Sequence, residues 1–206
     1  RDTIYGAIAE ATVPRYAPDF VAMYYRGIDF VQHFFWQYAE PDAIAGVDSE
    51  VVRAYGDVIP NYYEYQDALL ERFLEKLGPD MNVIIVSDHG FKARLDADPS
   101  KPQLTGMHDV RGVYIAAGPA FRDAGRVEGP TILDIAPTVL AVMGLPVSDE
   151  MDGRVLEEVI RPEHLAAHPV MSVPSYDEEV RGERSEVEST MDESIRDQLR
   201  SLGYIE

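Results

Sequence analysis

The run Val83-Ile84-Ile85-Val86, leading through Ser87 into Asp88-His89-Gly90, constrains this chain more than any other stretch. Four consecutive β-branched residues suit a pleated surface better than a helix. A strand that is apolar on both sides is the habit of parallel sheets covered above and below by helices. The strand ends on a carboxylate, an imidazole and a glycine, at the place where open α/β proteins build their ligand sites. The flanking segments alternate in character. Residues 3–12, 28–38, 48–77, 131–143 and 154–160 carry helical patterns, whereas 20–25, 82–87 and 112–117 read as strands. That alternation predicts an α/β fold, a three-layer α/β/α sandwich with a mostly parallel sheet. Pro14 is expected to stop the first helix. Asp48 is expected to cap the long stretch, Pro60 to kink or divide it, and Gly78-Pro79 to end it. Residues 91–107 read as a polar loop.

At 206 residues with 46% hydrophobic side chains, the chain is long enough for a sizeable core and too apolar for disorder. The character shifts at residue 161. Up to 160 the chain reads as one domain; residues 161–206 read as a polar tail, exposed or partly disordered, with a terminal helix over 191–202. The net charge of −19 argues against binding a nucleic-acid backbone or an anionic membrane. It also means that a site handling phosphate needs a local source of positive charge, which bound metal ions supply. Cysteine is absent, which excludes disulfides and thiolate chemistry. No apolar stretch approaches the roughly 20 residues of a membrane span, and no signal peptide opens the chain. The compartment stays open, since any targeting signal is expected upstream of Arg1.

Five residues of metal-ligating type lie near the ends of the predicted strands: Asp29, His33, Asp88, His89 and His108. Asp29 and His33 are four apart, so a helix presents both on one face. Their neighbours are aromatic (Phe30, Phe34, Phe35, Trp36), and a charge in such company needs a partner. Asp88 and His89 stand at the end of the most apolar strand. His108 precedes a strand. Asp and His are ligands for Zn²⁺ and similar divalent ions. Together the five point to a metal-dependent hydrolase, or to part of one. His164 and His168 fall in the polar tail and read as solvated. Lys92 follows the Asp-His-Gly-Phe turn and is a candidate contact for a substrate anion, though a solvated loop lysine is the plainer reading.

The order of these motifs resembles the alkaline phosphatase superfamily, in its type I phosphodiesterase/nucleotide pyrophosphatase branch. The resemblance rests on Asp29-x-x-x-His33 followed by Phe-Phe-Trp, on Val-Ser-Asp88-His89-Gly90-Phe91, and on Gly-x-His108 with Gly112 four residues on. Gly118-Pro119, the stretch from Ile132 to Leu140, Met143-Gly144-Leu145-Pro146 and the terminal Leu199 to Tyr204 are similar to the family's closing segments. The resemblance implies two divalent metal ions, zinc foremost. Asp29, His33 and His108 match the ligands of one ion; Asp88 and His89 match two ligands of the other. It implies hydrolysis of phosphate diesters or related esters, with a small-molecule phosphate ester as partner. The family's nucleophile, a Thr or Ser, and a further metal-binding Asp match nothing here. No catalytic nucleophile is therefore assigned in this chain, the missing N-terminal half of the same protein is expected to supply it, and the fragment alone is expected to be inactive. A sulfatase, a phosphoglycerate-mutase-like phosphotransferase and a non-catalytic module that keeps the fold are the alternatives. The histidine-rich donor set disfavours the sulfatase. A mutase would share the Asp-His pair, with a different spacing expected around the first Asp-x-x-x-His.

Overall fold

The computed structural model describes residues 2–98, 100–101, 103–176, 196–197 and 200. Along the chain run α1 (Asp2–Tyr16), α2 (Gly27–Ala39), α3 (Ser49–Tyr55), α4 (Val58–Leu77), β1 (Val83–Val86), β2 (Gly90–Ala93), β3 (Gly106–Asp109), β4 (Tyr114–Ala117), α5 (Ile135–Val142), β5 (Val147–Ser148), α6 (Pro162–Ala167) and β6 (Ser172–Val173). The described residues fall into two compact units: those within 1–79, 89–112 and 194–206, and those within 80–88 and 113–193. No helix among the described residues is long and apolar enough to cross a membrane.

In the first unit, α4 packs against both α1 and α2, and α2 packs against β3. Ala9, Val13, Ile44, Ile59 and Leu69 are its buried apolar side chains. Asp48 caps α3 by accepting the Glu50 N–H at 2.7 Å, as its sequence position predicts. The long helical stretch divides at Gly56-Asp57 rather than at Pro60. Pro60 lies in the first turn of α4, where its missing N–H has no intrahelical partner to lose. Pro14 does not stop α1 either; it falls in the last turns of a helix that continues to Tyr16. Gly78, at φ +80°, ends α4.

The start of α2 is held from another helix. Arg26 at its N-cap offers no side-chain bond. Instead the Gly27 N–H donates to Asp2 Oδ2 at 3.0 Å, and the same oxygen accepts from the Tyr62 hydroxyl at 3.0 Å and Gln66 Nε2 at 2.7 Å. Asp2 is only 2% exposed. A Cβ at residue 27 would overlap the Tyr62 hydroxyl, so the close approach requires glycine. Burial, and then the carboxylate of Asp2, push the Tyr62 phenol up to about 12.

Two strand expectations change here. Residues 20–25 form no strand, although Val21, Met23 and Tyr25 are half-buried and Ala22 and Tyr24 exposed. The alternation that suggested one is present; a ladder partner among the described strands is not. Conversely, residues 91–107 are not simply a loop. β2 and β3 pair antiparallel, with Phe91 opposite His108 and Gly90 opposite Asp109.

In the second unit, β1 pairs antiparallel with β4, Val83 opposite Ala117 and Val86 opposite Tyr114. β5 pairs parallel with β6. The core is Phe121, Leu156, Val159 and Ile160, with Ile84, Tyr114 and Ala116 packed on it. Helices and strands of an α/β chain are present, but the described strands form three two-stranded sheets, two of them antiparallel. A mostly parallel three-layer sandwich is not what they build. Ile85 and Val86 of β1 are exposed, so the apolar run is not covered on both sides, and such a run does not report the direction of its neighbour.

Residues 161–176, expected to be exposed or partly disordered, are mostly exposed but carry regular structure. They form α6 and β6, Leu165 packs on the Phe121–Ile160 core, and His164 Nε2 donates to the Val142 carbonyl at 3.0 Å. Pro162 at the first turn of α6 is a helix-start signal that the polar composition obscured. The expected helix over 191–202 and the terminal Gly203-Tyr204-Ile205 lie largely or wholly outside the described residues. The stretch 154–160 holds only a 3₁₀ turn, Glu157–Val159.

Candidate metal centre

α2 carries Asp29 and His33 one turn apart, and the β2–β3 pair brings His89 and His108 to the same place. All four belong to the first unit. Asp29 Oδ1 stands 3.4 Å from His33 Nε2, 3.3 Å from His108 Nε2 and 3.8 Å from His89 Nε2. His33 Nε2 and His108 Nε2 are 3.0 Å apart. The ligand-type atoms of Asp29, His89 and His108 all lie within 4.8 Å of one another. Asp88 is the second residue beyond β1 and belongs to the second unit, one peptide bond before His89.

The orientation of the rings follows from their other nitrogens. His33 Nδ1 lies 2.9 Å from the Gly106 carbonyl and His89 Nδ1 lies 3.1 Å from the Gly90 carbonyl. A carbonyl only accepts, so Nδ1 donates in each ring. The neutral imidazole then has its lone pair on Nε2, aimed at Asp29. Phe91 stands edge-on to His33, His89 and His108, with centroids 4.9, 5.5 and 5.2 Å away, and stacks on Trp36 at 5.8 Å. The His89 and His108 rings stack at 3.6 Å. An aromatic wall of this kind holds the rings and keeps water from one side.

The donor set fits a divalent cation. Asp29 Oδ1 is buried and makes no hydrogen bond. A buried carboxylate oxygen with no donor is costly unless a cation meets it. Ligand atoms on a tetrahedral zinc at about 2.0–2.1 Å stand roughly 3.3–3.4 Å apart. The separations among Asp29, His33 and His108 lie at or near that value; His89 sits a little farther out. Three imidazoles and a carboxylate also suit the borderline chemistry of zinc and its neighbours.

The charges in the cluster are tuned by each other. Burial alone pushes the Asp29 carboxyl up, but the imidazoles of His33, His108 and His89 outweigh it and hold the group below its ordinary value. Burial pulls His33 down; the Asp29 carboxylate and the Gly106 carbonyl more than offset it, so His33 is raised. His108 is lowered, by burial first and then by His89 and His33, against the pull of Asp29.

Lys92 is not aimed at this cluster. It lies on β2 next to Phe91, and successive side chains on a strand face opposite ways, so it shares the face of Asp109 and pairs with it at 3.8 Å. Thr105 is not singled out by sequence, and Phe91 and Gly106 stand out there only as members of the Asp88-His89-Gly90-Phe91 and Gly-x-His108 motifs, with no role of their own. Only the immediate adjacency of Phe91 to Asp88-His89-Gly90 and of Gly106 to His108 carried a signal.

The sequence model of a family described as type I phosphodiesterase / nucleotide pyrophosphatase matches residues 2–115, a stretch that includes Asp29, His33, Asp88, His89 and His108. Among curated proteins, the chain is 37% identical over 98 residues to the 2,3-bisphosphoglycerate-independent phosphoglycerate mutase of Laribacter hongkongensis, covering 47% of this chain and 19% of that protein. It is 33% identical over 126 residues to the enzyme of that name from Clostridium perfringens strain SM101, covering 58% and 22%. With that of Shewanella amazonensis it shares 42% over 84 residues, covering 40% and 15%. The matched stretch thus spans about a fifth or less of these relatives' length. No solved structure matches the chain significantly.

Proposed function

Because the chain belongs to the type I phosphodiesterase / nucleotide pyrophosphatase family, we propose that it carries part of the metal centre of an enzyme that cleaves phosphate esters, with hydrolysis of diesters as the leading reading. The observation that supports it is the convergence of three Nε2 atoms on the unbonded, buried Asp29 Oδ1. A divalent ion held there supplies Lewis-acid charge for phosphoryl chemistry and lowers the pKa of an attacking hydroxyl or water. Asp29, His33 and His108 form its donor set in this reading, and Asp88 and His89 belong to a second ion, zinc in both cases. The Gly106 and Gly90 carbonyls keep the rings in the tautomer that presents Nε2. Phe91 shields the cluster on one side. The negative charge of Asp29 offsets that of the cation and leaves the remainder for a phosphate.

A second reading has support in the comparisons. The relatives cited are phosphoglycerate mutases, so transfer of the phosphoryl group to another hydroxyl of the substrate, rather than to water, is the rival outcome. Both need the same metal-bound start. The test is an assay of the full-length protein with zinc or manganese, using bis(p-nitrophenyl) phosphate in one arm and 3-phosphoglycerate in the other. Release of nitrophenol supports the hydrolase. Interconversion of phosphoglycerates without diester cleavage replaces it with the mutase. In the active arm, Asp88→Asn and His89→Ala should lower turnover by orders of magnitude while circular dichroism stays unchanged; near-normal rates would remove both residues from the centre.

A further inference from the structure

Thr105 is fully buried, yet it is a polar residue at the mouth of β3, outside the set of donors. Its carbonyl accepts from the Arg94 N–H at 2.8 Å; the bonds of its N–H and hydroxyl go to one place. The Thr105 N–H donates to the His33 carbonyl at 2.7 Å. The Gln37 N–H donates to Thr105 Oγ1 at 3.2 Å, and Oγ1–H points to the Phe34 carbonyl at 3.4 Å. One residue thus engages three backbone groups of the α2 turn that begins at His33.

The next residues extend the contact. The Gly106 carbonyl accepts from His33 Nδ1. A Cβ on Gly106 would overlap the Gln32 carbonyl oxygen and press on Trp36 Cβ, so only glycine lets the strand lie this close to the helix. Two residues on, His108 Nε2 meets His33 Nε2. The separation of these two nitrogens is therefore set by how the 105–108 backbone is fastened to α2, and Thr105 is the fastener.

We propose that Thr105 is a positioning residue of the metal centre: its hydroxyl and backbone N–H seat the 105–108 strand on the His33 turn and so fix the spacing of the His33 and His108 donors. The proposal rests on the reading of the cluster as a metal centre. Ligands held by a well-packed outer contact lose affinity when that contact goes, typically by about 10–100-fold.

The test is calorimetric titration of the chain with Zn²⁺, for the unaltered protein and for Thr105→Val, Thr105→Ser and Leu69→Ala. Valine keeps the shape and removes the hydroxyl; serine restores it; Leu69→Ala opens the core of the same unit away from the donors. The expected result is zinc binding about tenfold weaker in Thr105→Val, near-normal binding in Thr105→Ser, and near-normal binding in Leu69→Ala despite a lower unfolding midpoint. Equal affinity in Thr105→Val and the unaltered chain overturns the proposal, as does an equal loss in Leu69→Ala, which would mark general destabilisation. No zinc binding by the unaltered chain removes the metal-centre reading itself. A second measurement needs no variant. If the contact favours the metal, the metal must favour the contact, so zinc should slow amide exchange at Thr105 and Gln37 more than at the amides of α4. Equal slowing everywhere overturns the proposal even if Thr105→Val does not fold.

Discussion

Asp29 is the residue on which the cluster turns, because its buried oxygen is the common neighbour of three imidazoles. Its charge also sets the state of His33. Burial favours the neutral ring, and the Asp29 carboxylate together with the Gly106 carbonyl raises His33 above the ordinary value. Asp29→Asn keeps the shape and deletes the charge. The His33 titration midpoint, followed by NMR without metal, should therefore fall; an unchanged midpoint would show that Asp29 does not govern it. The four clustered donors were legible as residue types: D-x-x-x-H places Asp29 and His33 on one helix face, and Asp-His at a strand end sets His89. What sequence did not carry was the packing around them. Thr105 and Phe91 have ordinary spacings, and their roles exist only once β2 and β3 fold back on α2. Lys92 reads from sequence as a solvated loop lysine before a substrate contact; the structure puts it on β2, where strand alternation turns it to Asp109.

At the level of elements, helices with end signals were read closely and strand pairing was not. Asp48 and Gly78 act through a few neighbouring residues, which a sequence displays. The antiparallel partnership of β1 with β4 joins residues about thirty positions apart, and no local pattern encodes it. The segment over 131–143 shows what local chemistry does fix. Thr131 and Asp134 form a capping box, with the Thr131 N–H and hydroxyl donating to Asp134 Oδ2 and the Arg154 N–H donating to Oδ1 at 2.8 Å. Asp134 is buried, and burial pushes its carboxyl up; the N–H donors of Arg154 and Thr131 and the Thr131 hydroxyl outweigh this and hold it below its ordinary 3.8. A depressed carboxyl stabilises the fold in full above its unfolded value and loses that contribution as pH falls through its folded one. Asp134→Ala should therefore cost about 1–2 kcal/mol near neutral pH. The gap from the unaltered protein in urea midpoints should close as pH falls below about 4. A gap that persists undiminished at pH 3 would mean that the carboxylate charge contributes nothing.

For the molecule as a whole, the placement of the donors decides how many ions it holds. Asp29, His33, His89 and His108 lie in the unit formed by 1–79 and 89–112, whereas Asp88 belongs to the other. Asp29, His33 and His108 converge within one unit and, with a water or substrate oxygen as the fourth ligand, suffice for one tetrahedral site. Asp88 and His89 are two donors, too few to complete a second. The net charge of −19 favours a cation without choosing its place, so the geometry of this cluster must do so. The 206-residue chain is therefore expected to bind one zinc ion. Binding to the folded state alone should stabilise it by about 2.7 kcal/mol at a free zinc concentration of 100 Kd. The gain should vanish with a chelator, and also on acidification below pH 5, because Asp and His ligands must be deprotonated to bind. Its turnover of a phosphodiester should be negligible, since two-metal phosphoryl transfer loses most of its rate without the paired ion and a positioned nucleophile. The measurement is thermal unfolding with and without zinc, beside calorimetric stoichiometry and a nitrophenol-release assay. One ion, a chelator-sensitive rise in Tm and no release is the expected result. Two ions per chain with zinc-dependent release would place a second complete site, and a nucleophile, within these 206 residues.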